Sequence, residues 1–245
     1  MSRIEGATAL LFAAGWGSRL KPFTDHHPKA LAVVNGKTLL DRNIAYLRSF
    51  GVSNIVINVH HFADQIMDAV SSRSDASSIA ISHEKEQPLE TGGGLVFARH
   101  FFDNSERPFV VMNVDILTNL NLAELYEHHV SANHLSTLAV TNRSSSRQFL
   151  FTSSMQLCGW KNNATAEYRW SADWVNDARG FAFSGVHIIS PKIFNLLPSS
   201  GIFSISDSYI QLAAHESIFG FDHSGDAVID VGKPESIAEA EQVFN

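Results

Sequence analysis

Residues 10–29 read LLFAAGWGSRLKPFTDHHPK and combine an apolar run, a glycine turn and two cations within one short segment. The apolar run over 9–14 is typical of a buried strand, after which Gly15 and Gly17 allow a sharp turn that brings bare N–H groups close to an anion. Arg19 and Lys29 supply positive charge. An ordinary surface turn with solvated cations is the simpler alternative, but the combination favours a phosphate-binding loop.

Downstream of this loop, apolar and β-branched runs alternate with segments whose apolar residues recur at helical spacing. Strands are predicted over residues 54–59, 79–82, 109–113, 135–141, 181–189, 218–221 and 227–231, and helices over residues 38–50, 62–70, 92–101, 122–130, 191–197, 206–217 and 234–244. Such alternation indicates an α/β fold with helices on both faces of a sheet. We expect a single Rossmann-like three-layer domain with a mixed, mostly parallel central sheet.

After residue 141 the apolar pieces become short and aromatic between polar runs such as RSSSR and GWKNNATAEYRW. This change predicts a small β-rich insertion over about 142–190, followed by a closing segment over 191–245. No internal repeat or linker marks a second domain, so one domain is expected over residues 1–245.

Composition limits the function classes. The 245 residues are 44% hydrophobic and 18% charged, as in a globular protein, and the net charge of −7 provides no global basic field for nucleic acid or an anionic membrane. Cys158 is the one cysteine, which excludes an internal disulfide. We read no signal peptide and no apolar run long enough to span a bilayer, so the cytoplasm is the expected location.

Two aspartates and a glycine run stand where ligands bind in open α/β sheets, just after the strands. Asp115 follows an apolar strand in VVMNVD, and Asp230 closes another in AVIDVG. A carboxylate at a strand end suits Mg²⁺, which is usually held by one or two carboxylates plus ligand phosphates. The run Gly92–Gly94 removes side chains that would keep a ligand off the backbone. These features together predict phosphoryl or nucleotidyl transfer.

The first loop matches neither of two common nucleotide motifs, because it lacks the lysine of a P-loop and the third glycine of a dinucleotide fingerprint. Instead, GWGSRLKPFT followed by Pro28-Lys29 resembles the G-x-G-[ST]-R-[LM]-x-P-[LF]-T … P-K signature of the sugar-1-phosphate nucleotidyltransferases. Within that family, the chain length and LETGGG are most similar to N-acetylmuramate-1-phosphate uridylyltransferases and mannose-1-phosphate guanylyltransferase-like proteins.

The resemblance implies a Mg²⁺-dependent enzyme that transfers a nucleoside monophosphate from UTP or GTP to a sugar 1-phosphate and releases pyrophosphate. It makes Arg19 and Lys29 catalytic, assigns the metal to Asp115 and Asp230, and makes Asn113 and Gly185 sugar-binding residues. It implies nucleotide contacts from Ala13, Ala14, Gly15, Gly17, Ser18, Gln87, Glu90, Thr91, Gly92 and Gly93. Residues 1–141 then form the nucleotide-binding part and 142–190 the sugar side. The partners are the two substrates, in a monomer or small homo-oligomer.

The sequence departs from the family pattern at two points, and three alternative functions stay open. Trp16 occupies a position where small or polar residues are commoner in the family, and no E-K-P tripeptide is found, so residues 143–174 leave the sugar contacts undetermined. A phosphocholine cytidylyltransferase-like enzyme and a non-catalytic nucleotide-binding subunit are the near alternatives. A nicotinamide-dependent oxidoreductase is more remote, since it needs the missing third glycine.

Overall fold

The computed structural model describes residues 4–102, 106–172 and 175–244, and Trp174, one of the tryptophans of the insertion, lies outside them. The strands are β1 (Thr8–Phe12), β2 (Val33–Val34), β3 (Lys37–Thr38), β4 (Asn54–Val59), β5 (Ile79–His83), β6 (Phe109–Asn113), β7 (Ile116–Thr118), β8 (Ser136–Thr141), β9 (Arg147–Phe151), β10 (Leu157–Asn162), β11 (Glu167–Trp170), β12 (Arg179–Ile189), β13 (Ile218–Asp222) and β14 (Val228–Asp230). The α-helices are α1 (Leu39–Ser49), α2 (Ala63–Ser71), α3 (Glu90–Phe97), α4 (Leu122–Ala132), α5 (Ile205–Leu212) and α6 (Pro234–Val243).

The central sheet is mixed, as expected. β6, β1, β4 and β5 run parallel as neighbours, and β13 is parallel to β8. β12 joins these two parallel groups by pairing antiparallel with both β6 and β8. The first residues of β12 also pair antiparallel with β9, β9 pairs antiparallel with β10, and β10 pairs antiparallel with β11. The predicted α/β fold class with its β-rich addition is therefore confirmed.

Alternate residues of the strands face two separate cores, which makes the domain three-layered. Leu11 and Ile57 pack with residues of α1, α2 and α4 in one core. Leu10 and Val56 pack with residues of α3 and α5 in the other. A third, smaller core beneath α6 contains Leu20 of the first loop.

Some predicted elements differ from the observed ones. Residues after Pro28 form a 3₁₀ turn, Lys29–Leu31, in which Ala32 N–H bonds back to the Lys29 carbonyl at 3.0 Å. The helix predicted over 191–197 is a 3₁₀ helix, Pro191–Asn195. None of the helices in the described part of the chain has the length and apolarity needed to cross a bilayer. The functional division at residues 141 and 190 stays a prediction.

Buried histidines make the stability of this fold dependent on pH. His187 is hydrogen-bonded to Tyr209 and His129 to Thr137, and burial lowers the pKa of each histidine to about 3. Unfolding returns both to about 6.5. Below pH 6.5 the unfolded chain therefore binds protons that the folded chain does not. The free energy of unfolding falls as the pH falls from about 6.5 toward 3, and above pH 7 these two histidines cause no further change of stability with pH.

We expect the free energy of unfolding in urea to be lower at pH 5.5 than at pH 7.5 by about 1.4 kcal/mol for each of these two histidines. His129→Gln keeps a hydrogen-bonding group near Thr137 but does not titrate, so its pH-dependent loss should be smaller by that amount. Equal stability of the wild type at the two pH values would contradict the burial of neutral histidines.

Candidate functional site

Loops from neighbouring parallel strands meet at one edge of the sheet. Ala13 N–H bonds to the Asn58 carbonyl at 2.9 Å, and Val114 N–H bonds to the Phe12 carbonyl at 3.0 Å. The residues that follow β1, β4 and β6 are thus held side by side. The Asn43 side chain on α1 donates to the Val114 carbonyl at 2.8 Å, which fixes the backbone just before Asp115.

Four charged side chains meet at this edge. The Lys29 ammonium donates to Asp115 Oδ2 and lies 3.9 Å from Asp230 Oδ1. Arg19 Nη2 lies 3.5 Å from Asp230 Oδ2. The Lys29 side chain is only 11% exposed and that of Arg19 is 57% exposed. The cluster therefore has an inner cation between two carboxylates and an outer, accessible guanidinium.

A short strand pair brings Asp230 to this cluster from the far end of the sequence. β14 pairs antiparallel with β7, so that Asp230 lies opposite Ile116. Val231 N–H then bonds to the Asp115 carbonyl at 2.8 Å. The two aspartates predicted at strand ends are thereby placed next to each other.

The cluster opens into a cavity of about 390 Å³. Its lining includes the predicted residues Ala13, Gly15, Gly17, Ser18, Arg19, Lys29, Thr91, Asn113 and Asp115. A smaller cavity of about 120 Å³ has Ala14, Gly15, Glu90 and Thr91 on its walls. A larger one of about 750 Å³ is lined by Glu90, Thr91 and Asp230 together with residues of the β-rich strands. Thr91 lines all three, so these cavities form one connected cleft.

Gly17 is required by the fold of the first loop. Its φ is +63°, and an added Cβ would lie 2.7 Å from Thr24 Cγ2 and 3.1 Å from Lys29 Cβ. Thr24 also donates its hydroxyl to the Gly17 carbonyl at 2.9 Å. We expect Gly17→Ala to lower the free energy of unfolding by about 1–2 kcal/mol, from the left-handed backbone alone, as measured by denaturant titration.

Gly15 provides the matched comparison, because apart from its chain neighbours no described atom lies within 4 Å of a Cβ added there. Gly15→Ala should leave the free energy of unfolding within about 0.5 kcal/mol of the wild type. If a phosphate approaches this backbone, the methyl group should raise KM for the nucleotide about tenfold, or ~1.4 kcal/mol. An unchanged KM would contradict a nucleotide contact at Gly15.

The fold itself requires glycines in the run that begins α3. Gly92 and Gly93 are buried in α3, and both backbone N–H groups donate to the Phe203 carbonyl, at 2.8 Å and 3.2 Å. A Cβ at either position would collide with Phe203 or Gly201. The glycines let α3 pack closely on residues 201–203. The nucleotide contacts implied for Gly92 and Gly93 stay predictions.

Three of the predicted contact residues lie away from the cavity of about 390 Å³. Gln87 and Gly93 line a separate cavity of about 480 Å³ beside residues 199–201. Gly185 has a φ of +71°, and a Cβ there would lie 3.0 Å from Asn113 Nδ2 and 2.8 Å from Ile116 Cγ1. The lack of a side chain at Gly185 therefore leaves room for the Asn113 amide. Gly185 lies at the irregularity in the pairing of β12 with β8.

The donor set fits a divalent cation that arrives with a nucleotide. Asp230 Oδ1 is buried and accepts no hydrogen bond from any described residue. The described residues contain no cluster of three or more His, Cys, Asp or Glu side chains that could hold a metal by themselves. Two carboxylates completed by ligand phosphates are the usual site for Mg²⁺, whereas zinc needs three or four protein ligands.

A family model described as nucleotidyl transferase matches residues 8–149, which include Arg19, Lys29 and Asp115. The chain belongs to the nucleotidyl transferase family. The family predicted from the glycine loop is thereby confirmed.

Two curated relatives of the nucleotidyl transferase illustrate the range of its similarity. An N-acetylmuramate α-1-phosphate uridylyltransferase of Caulobacter vibrioides is 32% identical over 95% of this chain and 95% of its own length. A mannose-1-phosphate guanyltransferase of Yarrowia lipolytica is 26% identical over 92% of this chain, but the match spans only 60% of that protein.

The fold of the nucleotidyl transferase also matches solved structures. HddC from Yersinia pseudotuberculosis, solved with GMP-PN, superposes with a TM-score of 0.76 at 22% identity, covering 98% of this chain and 100% of that one.

Two side chains of this nucleotidyl transferase were missed by the sequence analysis. Glu84 is buried, accepts from Asn58 Nδ2 at 2.7 Å and from Leu89 N–H at 2.8 Å, and so holds the 84–89 segment beside the cleft. A polar residue inside the apolar run of β4 and an acid directly after β5 were the available signals.

Trp16 has a definite place in the nucleotidyl transferase. Its ring is 54% exposed, and it contacts His61 at 4.7 Å and His60 at 5.4 Å between ring centroids. His60 is itself hydrogen-bonded to the Glu84 carbonyl at 2.6 Å. The tryptophan therefore packs the first loop against the residues that follow β4, and it lines the cavity of about 390 Å³.

Proposed function

We propose that this enzyme transfers a nucleoside monophosphate, with UTP as the preferred donor, to a sugar 1-phosphate and releases pyrophosphate. The observation that carries the proposal is the meeting of Arg19, Lys29, Asp115 and Asp230 at the carboxyl edge of the sheet, in a cleft with room on both sides. Nucleotidyl transfer is an in-line displacement that needs positioning and charge neutralisation more than covalent chemistry from the protein.

The two cations have different roles in the proposal. Arg19, on the exposed side of the first loop, binds the β- and γ-phosphates and stabilises charge on the departing pyrophosphate. Lys29 is inner and less exposed, so it binds the α-phosphate and the attacking sugar phosphate. Both act on charge that grows during the reaction, which is where fixed cations contribute most.

Asp115 and Asp230 hold Mg²⁺ in this proposal. When bound, the ion neutralises triphosphate charge and orients the phosphates for displacement. Asp230 Oδ1 is buried, accepts no hydrogen bond from any described residue and has Lys29 Nζ at 3.9 Å, and Val231 next to it bonds to the Asp115 carbonyl; both observations support this assignment.

A relative that is matched over nearly its whole length supports the choice of donor base and acceptor. The Caulobacter protein, which matches 95% of both chains, carries uridylyltransferase and N-acetylmuramate 1-phosphate in its name. UTP and this acceptor are therefore the first pair to test, and GTP is the alternative donor. The cytoplasm and a monomer or small homo-oligomer stay predictions.

The test is pyrophosphate release measured with each of UTP, GTP, CTP, ATP and dTTP against a panel of sugar 1-phosphates, with phosphocholine as a further acceptor. We expect Mg²⁺-dependent release that is fastest with UTP and a sugar 1-phosphate. Nucleotide binding by calorimetry without turnover for any pair would overturn the proposal in favour of a regulatory subunit. Turnover with CTP and phosphocholine alone would assign the cytidylyl alternative.

A further inference from the structure

The cavity of about 750 Å³ on the β-rich side of the cleft has an aromatic floor. Phe149 and Trp160 are direct cross-strand neighbours on β9 and β10, and the ring of Phe183 lies 5.9 Å from that of Phe149. All three rings line the cavity. This floor suits the apolar part of a sugar and its substituents.

The acidic side chains of this cavity are largely engaged. Arg169 binds Glu167 at 2.8 Å and Asp207 at 2.7 Å, and its guanidinium lies 4.4 Å from the centre of the Trp160 ring. Asp230 belongs to the charged cluster that it forms with Arg19, Lys29 and Asp115. Glu90 stands at the junction with the smallest cavity, on the nucleotide side.

Two cations of the same cavity, Arg143 and Arg147, form no salt bridge with any acid in the described part of the chain. Arg143 Nη2 donates to the Phe183 carbonyl at 3.0 Å, which fixes its guanidinium, and its buried Nε has no acceptor among the described residues. Arg147 is exposed and is the first residue of β9. In a chain with a net charge of −7, two guanidinium groups that line one cavity without an acidic partner among the described residues favour an anionic ligand.

We propose that Arg143 and Arg147 bind a carboxylate on the acceptor, so that the enzyme selects sugar 1-phosphates that carry this second acid group. The inference rests on the proposed function, which places the 1-phosphate at Lys29 and therefore leaves these two arginines for another anion. A guanidinium matches a carboxylate with two parallel hydrogen bonds, and the aromatic floor accommodates the carbon atoms that carry it.

Pairs of acceptors that differ mainly in the acid group give the direct test. Glucuronic acid 1-phosphate is compared with glucose 1-phosphate, and N-acetylmuramic acid 1-phosphate with N-acetylglucosamine 1-phosphate. We expect kcat/KM to be about 10- to 100-fold higher for the acid member of at least one pair, as for a charge-assisted hydrogen bond. Glucose 1,6-bisphosphate tests a second phosphate instead, and preference for it over both carboxylates would overturn the assignment.

Glutamine variants of the two arginines test whether these residues cause the preference for the acid-bearing sugar. Arg147→Gln and Arg143→Gln should reduce the acid-over-neutral ratio to about threefold or less while leaving kcat/KM for the neutral sugar near its wild-type value. Arg179→Gln removes the same charge from the exposed start of β12, outside the cavity wall, and should leave the ratio unchanged. Arg143 is hydrogen-bonded to the backbone, so its replacement could disturb the fold. Thermal unfolding checks that Arg143→Gln is folded, and if that variant is unfolded, Arg147→Gln alone tests the proposal.

Each outcome separates this inference from the proposed function. Equal kcat/KM for acid and neutral sugars, or equal losses for both in Arg147→Gln, would overturn the carboxylate site while the enzyme activity stands. Absence of turnover with every acceptor and every nucleoside triphosphate would overturn the proposed function itself.

Discussion

Replacing Asp230 or Asp115 by asparagine should lower kcat by at least about 10³-fold, which is the scale of losing a preorganised electrostatic group at a reacting phosphate. Asparagine keeps the size of the side chain and removes the charge that a divalent cation needs. Asp230 Oδ1 has no hydrogen-bond donor to lose, and its other oxygen pairs only with a guanidinium that is largely exposed. The free energy of unfolding of Asp230→Asn should therefore change by less than about 1 kcal/mol.

A binding measurement separates loss of the metal from other causes. In the wild type, UTP with Mg²⁺ should raise Tm more than UTP with EDTA, because a ligand that binds only the folded state stabilises it. In Asp230→Asn this difference should disappear. Glu239→Gln on the exposed face of α6 makes the same charge change and should behave like the wild type in both assays. Activity above about a tenth of the wild type in both aspartate variants would contradict the metal assignment.

Replacing Lys29 by methionine should lower kcat by about 10²- to 10³-fold and also weaken the fold. The Lys29 ammonium is the group that lies between the two carboxylates, and its side chain is 11% exposed. Without it, Asp115 and Asp230 face each other, so the free energy of unfolding should fall by about 1–2 kcal/mol. Mg²⁺ alone should then raise the Tm of Lys29→Met more than that of the wild type, because the ion offsets the same repulsion.

Lys21 is the control for this prediction. It lies in the same loop, but its side chain is 62% exposed and its ion pair with Asp25 is a surface pair. Lys21→Met should change the free energy of unfolding by less than about 0.5 kcal/mol and should show no added response to Mg²⁺. Lys29→Arg should not restore activity, because a planar guanidinium cannot replace a compact ammonium between two carboxylates. A Lys29→Met enzyme with wild-type kcat would refute the role given to Lys29.

The strands that matter most for the site could be read from the sequence because they are buried on both faces. β4 and β6 begin and end at the predicted residues, since a continuous apolar run closed by polar residues leaves little choice of boundary. Helix α1 was predicted to within a residue, and Thr38, whose hydroxyl accepts from Asp41 N–H at 3.0 Å, marks its start.

The composition of the site depended on long-range pairing that no local pattern contains. Asp230 reaches Asp115 only through the antiparallel pairing of β14 with β7, across more than a hundred residues of chain. Their shared position after apolar strands suggested a common metal site, and the resemblance to a family assigned the metal to both. The glycine run shows the opposite case: a glycine needed for packing against Phe203 looks the same in sequence as one needed for a ligand.

The sugar side was the least predictable part. Arg143 and Arg147 occur in the polar run RSSSR at the start of the predicted β-rich insertion, and a tryptophan such as Trp160 is more often buried by packing than placed in a sugar site. They share a cavity wall because β9 and β10 pair beside the irregular middle of β12, whose position is set by tertiary contacts.

The central claim is transfer of the α-phosphorus of a nucleoside triphosphate to a sugar 1-phosphate at the Lys29 cluster. Phosphorus NMR of one reaction mixture containing enzyme, UTP, N-acetylmuramic acid 1-phosphate and Mg²⁺ tests it most directly. We predict that the triphosphate signals are replaced by those of a sugar-linked diphosphate and free pyrophosphate in equal amounts. Formation of nucleoside diphosphate with inorganic phosphate, or triphosphate signals that persist with this and every other sugar 1-phosphate, would contradict the account.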